Sequence, residues 1–444
     1  MILVLGGGLA GLSAAYHLAR ELPGVPRLVL EREAEPGGLC RSRRADGFTF
    51  DLTGHYLHLR DPETVALVDE LLGGELVPVE RRAVIHCRGT IVDFPFQAHL
   101  HGLPPDVVAR CLVDFVEASR SGPPDKDPRM PFGAWARAVF GDGIAEEFLL
   151  PFNAKQFGVP PDELTAEWVA WSVPRPDLRQ VVGGALGLKN PALGYNPRFH
   201  YPRSGGIGVL ASALAERVGA DLRLGARVTS IDAHEHRVVL EGGEILHWER
   251  LVSTLPLPAL LQRTRGLGSC PRLGRSPAEM AGELRWSAVI DLQIGVERRE
   301  IAGGAHWMYF PGPEYPFYRV GFPANVAPAM APAGCRSLSV EFPHRPGAPL
   351  PGVDELLAAA REGLVRAGVL GERDRVVHAE RVLLDPAYVI FDRRRTPTVA
   401  AAEALLHGAG IRAIGRFGGW TYSYMERALI DGRDVARELA AELR

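Results

Sequence analysis

With 444 residues, 46% of them apolar, and a formal charge of −3, the chain has the length for two or three structural units and the composition of a folded one. That charge balance excludes a whole-surface attraction to nucleic acid or to an anionic membrane. An anionic ligand must therefore be met by a few placed arginines. Residues 1–5 form an apolar strand, 6–8 a turn, 9–21 a helix and 27–30 a second strand ending at Glu31. Helices are predicted over 65–72, 105–119 and 143–152, with a strand-like stretch at 83–96 between the first two. Pro- and Gly-rich loops occupy 121–128 and 191–197. A helix at 209–218 leads to strands at 222–231 and 237–240, joined near His234 to His236, and to another strand at 251–254. Alternating segments over 286–341 predict an antiparallel sheet. A helix at 356–367, a short strand at 413–415 and a closing helix at 424–443 complete the chain.

The five cysteines, Cys40, Cys87, Cys111, Cys270 and Cys335, are far apart and form no C-x-x-C. This predicts free thiols in a reducing compartment and no metal site. No run of roughly 18 apolar residues is present, so no membrane span is expected. A secretory leader is not expected either, since the first strand starts at Met1 with no basic segment ahead of it. The cytoplasm is the expected compartment.

Gly6, Gly8 and Gly11 give G-x-G-x-x-G between the first strand and the first helix. The first glycine permits the turn, the second lets backbone approach a pyrophosphate, and the third packs helix against strand. Helix-opening amides at Leu9 and Ala10 then face the anion. Glu31 follows Gly11 by 20 residues and is placed to accept a ribose hydroxyl, with Arg32 beside it. NAD and FAD share this fingerprint. A second glycine pair in Gly37-Gly38-Leu39-Cys40-Arg41-Ser42 favours FAD, because Gly38, Leu39 and Arg41 bring backbone and a guanidinium to its phosphates or ribose.

That stretch resembles the amine-oxidase and UDP-galactopyranose-mutase branch of flavoproteins. The likeness sharpens toward the UDP-galactopyranose mutase family, its eukaryotic-type branch in particular, through short segments in shared order. The resemblance implies that the Val228 backbone faces the adenine, that Gly415 and Arg416 meet the flavin-side phosphate, and that Met425 presents its N–H to the flavin. Thr53-Gly54-His55 resembles the family's Gly-Gly-His loop, with Thr53 in place of the first glycine, a change expected to stiffen the loop. Phe94-Pro95-Phe96-Gln97 and Pro151-Phe152-Asn153-Ala154-Lys155-Gln156-Phe157 are similar to nucleotide-pocket segments, implying that Phe94, Gln97, Asn153 and Phe157 bind substrate. Asn196, ahead of Gly205-Gly206, is a further ligand by the same likeness. Trp307-Met308-Tyr309-Phe310-Pro311 and Pro316-Phe317-Tyr318-Arg319 match a signature in which Tyr309 and Arg319 hold a diphosphate, and Tyr422 reaches the diphosphate or sugar. Three positions depart from the pattern. Phe94 lacks the family's hydroxyl, Ser172 stands where a second diphosphate arginine is expected (Arg175 is the nearest substitute), and Glu426 stands where the family has Asn.

The implied fold is α/β, a Rossmann-like FAD-binding domain with inserted helical and antiparallel-sheet substrate domains. The FAD domain comprises 1–65, 200–260 and 400–444; 66–199 forms a mainly helical unit and 270–395 a sheet unit. The implied activity is a flavin-dependent mutase that interconverts pyranose and furanose forms of a nucleotide-diphosphate sugar. Reduced FAD N5 attacks the anomeric carbon and NAD(P)H serves as reductant, while His55, Arg319 and Tyr422 form the catalytic set. Two alternatives stay open: an FAD oxidase of the amine-oxidase or protoporphyrinogen-oxidase kind, and a non-enzymatic binder similar to the Rab GDP-dissociation inhibitors.

Overall fold

The computed structural model describes residues 1–122, 127, 129–169, 173–188, 197–270 and 274–444. Asn196 and Ser172 lie outside the described residues, as does most of the predicted loops at 121–128 and 191–197.

The first unit is an α/β layer structure built on a five-stranded parallel sheet. Its order is Ile411–Ala413, Arg250–Ser253, Ile2–Leu5, Arg27–Leu30, Leu222–Arg223. Ile2–Leu5 is buried along its whole length, as a central parallel strand covered on both faces must be. The helix Leu9–Glu21 packs on this sheet and against the closing helix Met425–Leu443. Close approach needs glycine: a Cβ at Gly11 would lie 2.0 Å from the Gly6 carbonyl oxygen, and one at Gly432 would lie 2.5 Å from the Ala14 nitrogen. Three separated stretches of the chain thus make one sheet.

Several boundaries differ from the sequence reading, each for a local reason. The strand expected over 222–231 breaks at Gly225 (φ +66°). Leu222–Arg223 stays in the parallel sheet, and Val228–Asp232 joins a separate four-stranded one. The stretch 83–96 is a hairpin, Ala83–Cys87 with Thr90–Asp93. Its turn residues Arg88 and Gly89 are both left-handed (φ +53° and +74°), the geometry that two-residue hairpins favour. The helix expected over 143–152 runs further both ways, from Phe132–Ile144 through a π turn at Ala145–Leu149 into Leu150–Phe157. The short strand near the end is Ile411–Ala413, and Gly415 opens a helical turn instead. The strand Val376–Val389 and the helix Arg395–Gly408 have no counterpart in the sequence reading.

The second sheet has seven strands, in the order Val376–Val389, Trp286–Glu297, Cys335–His344, Arg319–Gly321, Trp307–Tyr309, Ala83–Cys87, Thr90–Asp93. The hairpin from the mainly helical region 66–199, which also holds the strand Leu76–Glu80, therefore extends the sheet of the later region. Ile290, Leu292, Ile294 and Val296 point into an apolar core with Phe317, Phe342 and Leu364. With a side-chain period of two, Asp291 and Gln293 face the other side, where the cleft lies. All five cysteines are unpaired, and among the described residues no helix is long and apolar enough to cross a membrane.

Candidate active site

The cofactor cradle forms where the first strand ends. Gly6 has φ +102°, and a Cβ on it would collide with Thr254 Oγ1 at 2.1 Å. Above Gly8 there is room: the nearest heavy atom to a Cβ built there is Gly38 Cα at 3.9 Å. Gly37 N–H donates to the Gly7 carbonyl at 2.7 Å, which pins the second glycine loop beside the first. The helix starting at Leu9 has no side-chain cap, so its first-turn amides, Leu9 and Ala10 among them, are available to an anion. Glu31 is buried and accepts from Gly7 N–H at 2.6 Å and from Glu33 N–H at 2.9 Å, fixing its carboxylate beside the loop. A Cβ at Gly415 (φ +76°) would lie 2.9 Å from Ala10 Cβ, so this distant segment reaches the same helix start. Arg41 Nε donates to the Gly38 carbonyl at 2.9 Å and braces the second loop. Arg32 does not join the set through its side chain, which is exposed and paired with Glu33 at 3.0 Å. Val228 opens its antiparallel strand opposite Leu240. Open space at Gly8, free helix-start amides and a fixed acidic group fit a dinucleotide's pyrophosphate and ribose.

Next to the cradle is a cleft that opens to solvent. Leu39, Gly54, His55, Tyr309, Arg319, Arg416, Tyr422 and Met425, drawn from six separate segments, all line it. His55 sits on a strained loop, because the preceding Thr53 has φ +70°, costly for a β-branched residue. Burial and then Arg416 push the His55 imidazole down to about 4, so it is neutral at physiological pH. The Thr53 and Leu52 backbone also reaches this imidazole and holds it within its own loop. Asp51, at the base of the same loop, accepts from Ser42 Oγ at 2.6 Å, Tyr201 OH at 2.5 Å and Ile207 N–H at 3.0 Å. Burial pushes its carboxyl up to about 6.

Arg319 and Arg416 reach the same cleft from other segments. Arg319 donates through Nε at 2.9 Å and Nη2 at 2.5 Å to Glu341 Oε1, while Tyr318 OH donates to Oε2 at 2.5 Å. Asp291 lies in the same buried network, accepting from Ser339 Oγ at 2.6 Å and Gln293 Nε2 at 3.2 Å. Burial, then the charge of Glu341, raises it to about 7. Arg416 donates to the Ser423 carbonyl at 2.7 Å and the Ala387 carbonyl at 2.9 Å. Its guanidinium lies 5.4 Å and 5.0 Å from the Tyr388 and Tyr422 ring centres. Arg81, Tyr388, Glu341 and Asp51 belong to this cleft and were not found from the sequence. Each is an ordinary residue locally, and only the fold brings it in.

Other expected ligands lie outside the cleft wall. Gln97 Nε2 donates to the Pro174 carbonyl at 2.6 Å, and Asn153 Nδ2 donates to the Leu149 carbonyl at 2.7 Å within its own helix. Phe157 is buried between Trp168 at 5.2 Å and Tyr388 at 5.8 Å. The Phe94 ring is covered, with Arg81 4.9 Å from its centre and Tyr309 at 5.5 Å. Arg175 is exposed and lies 5.1 Å over Trp135. Glu426 accepts from the backbone N–H of Arg60 and, at 2.7 Å, of Asp61. The neighbouring Lys155 is an internal clamp. Its Nζ donates to the carbonyls of Phe310 at 3.1 Å, Tyr315 at 2.8 Å, Phe317 at 3.3 Å and Gly312. It thereby fixes the turn between the strands that carry Tyr309 and Arg319. Among the described residues, His407, Glu438 and Glu442 approach one another at the surface. Arg412 already pairs with both glutamates there.

Comparison with known proteins places this geometry. Coproporphyrinogen III oxidase of Staphylococcus aureus (strain NCTC 8325 / PS 47) is 26% identical over 176 residues, 37% of this chain and 38% of that protein. Amine oxidase [flavin-containing] A of Canis lupus familiaris is 26% identical over 275 residues, 57% of this chain and 49% of that protein. The chain thus spans half or less of the length of these curated relatives. A solved structure of reduced UDP-galactopyranose mutase superposes with a TM-score of 0.91 and 27% identity, covering 99% of this chain and 94% of that one. The family model for flavin containing amine oxidoreductase matches residues 9–323. That match begins at the helix opening the glycine cradle and takes in more than half of the sequence, so this protein belongs to the flavin containing amine oxidoreductase family, with FAD as the cofactor its cradle fits.

Proposed function

We propose that the protein is a flavin-dependent mutase that interconverts pyranose and furanose forms of a nucleotide-diphosphate sugar, with NAD(P)H as reductant. The observation that carries this reading is the gathering of Arg81, Arg319 and Arg416 with several tyrosines in one cleft beside the cradle. A doubly charged diphosphate calls for that chemistry. The close likeness to reduced UDP-galactopyranose mutase over nearly the full chain supports it. When bound and reduced, FAD supplies the nucleophile for the anomeric carbon. The chain's own residues then have separable roles. Arg319, Tyr309 and Tyr422 hold the leaving diphosphate close by so that it can return. Neutral His55 presents an imidazole without adding charge beside the cofactor.

The curated relatives favour a second reading, an FAD oxidase, in which the arginines meet carboxylates of the substrate. Product analysis by mass spectrometry, with dithionite-reduced holoprotein and UDP-, GDP- and TDP-sugars, separates the two. A mutase gives an isomer of unchanged mass over many turnovers per reduction and is inactive when FAD is oxidised. Turnover matched one for one by oxygen consumption, with no isomer from any sugar nucleotide, sinks the mutase and leaves the oxidase.

A further inference from the structure

Four strands of the seven-stranded sheet set one row of side chains on its cleft face. Asp291 is directly opposite Glu341, Glu341 is directly opposite Arg319, and Arg319 is directly opposite Tyr309. Asp291 is 0% exposed and Glu341 2%, so two carboxyl groups stand side by side in the interior next to one guanidinium. Like charges directly opposite one another destabilise a sheet, and two carboxylates sharing a buried site do not both stay ionised. We propose that Asp291 holds a proton beside Glu341, and that an anionic ligand at Arg319 draws in and retains this proton, so that nucleotide binding is coupled to proton uptake behind the cleft. This deepens the mutase reading, and its ligand half rests on that reading.

Donor chemistry decides which of the two keeps the charge. Glu341 accepts from Arg319 Nε at 2.9 Å, Arg319 Nη2 at 2.5 Å and Tyr318 OH at 2.5 Å. Asp291 accepts from two neutral groups, Ser339 Oγ at 2.6 Å and Gln293 Nε2 at 3.2 Å. The guanidinium therefore answers Glu341, and the proton belongs on Asp291. Other titratable groups packed around this face have partners of their own. The Asp51 carbonyl accepts from Gln293, while its carboxyl, at about 6, takes Ser42, Tyr201 and Ile207 N–H. On the strand Val376–Val389, Val382 stands opposite Asp291, and Glu380, opposite Gln293, pairs with Arg43 at 2.7 Å. His378 of that strand pairs with Asp46, and burial pushes the Tyr388 phenol up to about 12. Lys155, on the helix packed against these strands, donates to backbone carbonyls. Burial, then the charge of Glu341, pushes Asp291 up to about 7, so its proton titrates in the physiological range. Ser339 links it to the ligand side, since its hydroxyl donates to Asp291 and the same residue lines the cleft. An anion at Arg319 adds negative charge to the row, which raises the carboxyl further and pulls a proton in.

Two measurements test this. The first is calorimetric titration of the oxidised holoprotein, in buffers of different ionisation enthalpy, with whichever of UDP-, GDP- and TDP-glucose the wild type binds best. Both phosphates of such a ligand are substituted and exchange no proton near neutrality, so the buffer dependence counts protons on the protein. At about pH 8 the wild type should take up a large fraction of a proton, with about one per site as the ceiling. Its affinity should fall by up to about tenfold per pH unit as pH rises above about 7. Asp291→Asn, a neutral isostere, should bind with little uptake and a flattened pH dependence. The second measurement needs no ligand. Folded Asp291 titrates near 7 and the unfolded residue near 3.8. Between those values the folded chain binds the extra proton, so this group's share of stability falls as pH rises. The urea midpoint of Asp291→Asn relative to wild type should therefore climb across that window and level off above it, whereas a merely structural role shifts it equally at every pH. A flat difference overturns the buried proton. Wild-type binding without proton uptake, or equal uptake in Asp291→Asn, overturns the coupling and leaves the mutase reading standing. If no sugar nucleotide binds, the mutase reading and the coupling both fall, and the urea comparison still decides whether Asp291 is protonated.

Discussion

Arg319 and Glu341 offer the sharpest test of what the cleft binds. Arg319→Ala removes one member of a pair in which Glu341 is nearly fully buried, 3% exposed, and Arg319 is 24% exposed. Breaking a buried pair from one side costs about 3–5 kcal/mol, because a charge is left stranded; whole-domain stabilities are only about 5–15 kcal/mol. Tyr318 OH, at 2.5 Å, still donates to Glu341 and softens the loss. A lower urea midpoint in Arg319→Ala therefore proves nothing about ligands. Nucleotide binding should fall too, by about 1.5–3 kcal/mol per lost charged hydrogen bond, or roughly tenfold to a few hundredfold. The uncovered Glu341 carboxylate adds repulsion to that loss. Arg319→Ala combined with Glu341→Gln separates the effects. Stability should largely return, whereas affinity should recover only the repulsive part. Urea unfolding and calorimetric titration with UDP, GDP and TDP measure the two sides. If the double variant binds its best diphosphate as tightly as wild type, Arg319 merely neutralises Glu341 and the diphosphate site lies elsewhere.

Gly8→Val fills the open space over the cradle and should give colourless protein; stoichiometric flavin in the purified variant would show the pyrophosphate lies elsewhere. For His55, the unfolded ring titrates near 6.5 and the folded one near 4. Between those values the unfolded chain binds a proton that the folded chain refuses, so this group's share of stability is lost as pH falls through that window. His55→Gln lacks that share, so its stability relative to wild type should rise as pH drops from 6.5 toward 4; a constant difference across the window excludes a buried neutral imidazole. Lys155→Met removes the donor shared by four carbonyls, of which Gly312 still accepts from Tyr315 N–H, at about 1–3 kcal/mol for each acceptor left unsatisfied. Because the turn carrying Tyr309 and Arg319 loosens, nucleotide affinity should drop with FAD content unchanged; equal losses of both would mean general unfolding.

The cradle was legible in the sequence because each of its requirements is local. Gly6 needs a left-handed φ, Gly11 needs a missing Cβ, and Glu31 needs a fixed distance along one βαβ unit, so all three leave marks within about 30 residues. The helix Leu9–Glu21 and the strand Arg27–Leu30 followed for the same reason. Tyr309, Arg319 and Tyr422 came instead from the likeness to a family, and the cleft gathers all three. Gln97, Asn153 and Phe157 came by the same route, and in this structure Pro174, Leu149 and Trp168 engage their side chains. Arg81 and Tyr388 left no mark at all. One precedes a hairpin whose partner strand, Trp307–Tyr309, is far along the chain, and the other ends a strand that alternation did not reveal.

The strand Trp286–Glu297 shows why the polar floor was missed and what it does. Taken alone, Trp-Ser-Ala-Val-Ile-Asp-Leu-Gln-Ile-Gly-Val-Glu has the look of a core strand with two polar blemishes. Period two makes them meaningful: Ile290, Leu292 and Ile294 enter the apolar core, so Asp291 and Gln293 must face the cleft side. Two polar side chains, both fully buried there, need partners, and the partners tie the two halves of the site together. Gln293 Nε2 donates both to Asp291 and, at 3.0 Å, to the Asp51 carbonyl. Asp51 anchors the loop of Thr53, Gly54 and His55, while Asp291 lies beside the Arg319 and Glu341 pair. One strand thus fixes the Arg319–Glu341 pair relative to the His55 loop next to the cofactor cradle. That is the spatial relation a mutase needs if a leaving group is to be held on one side while its sugar reacts on the other.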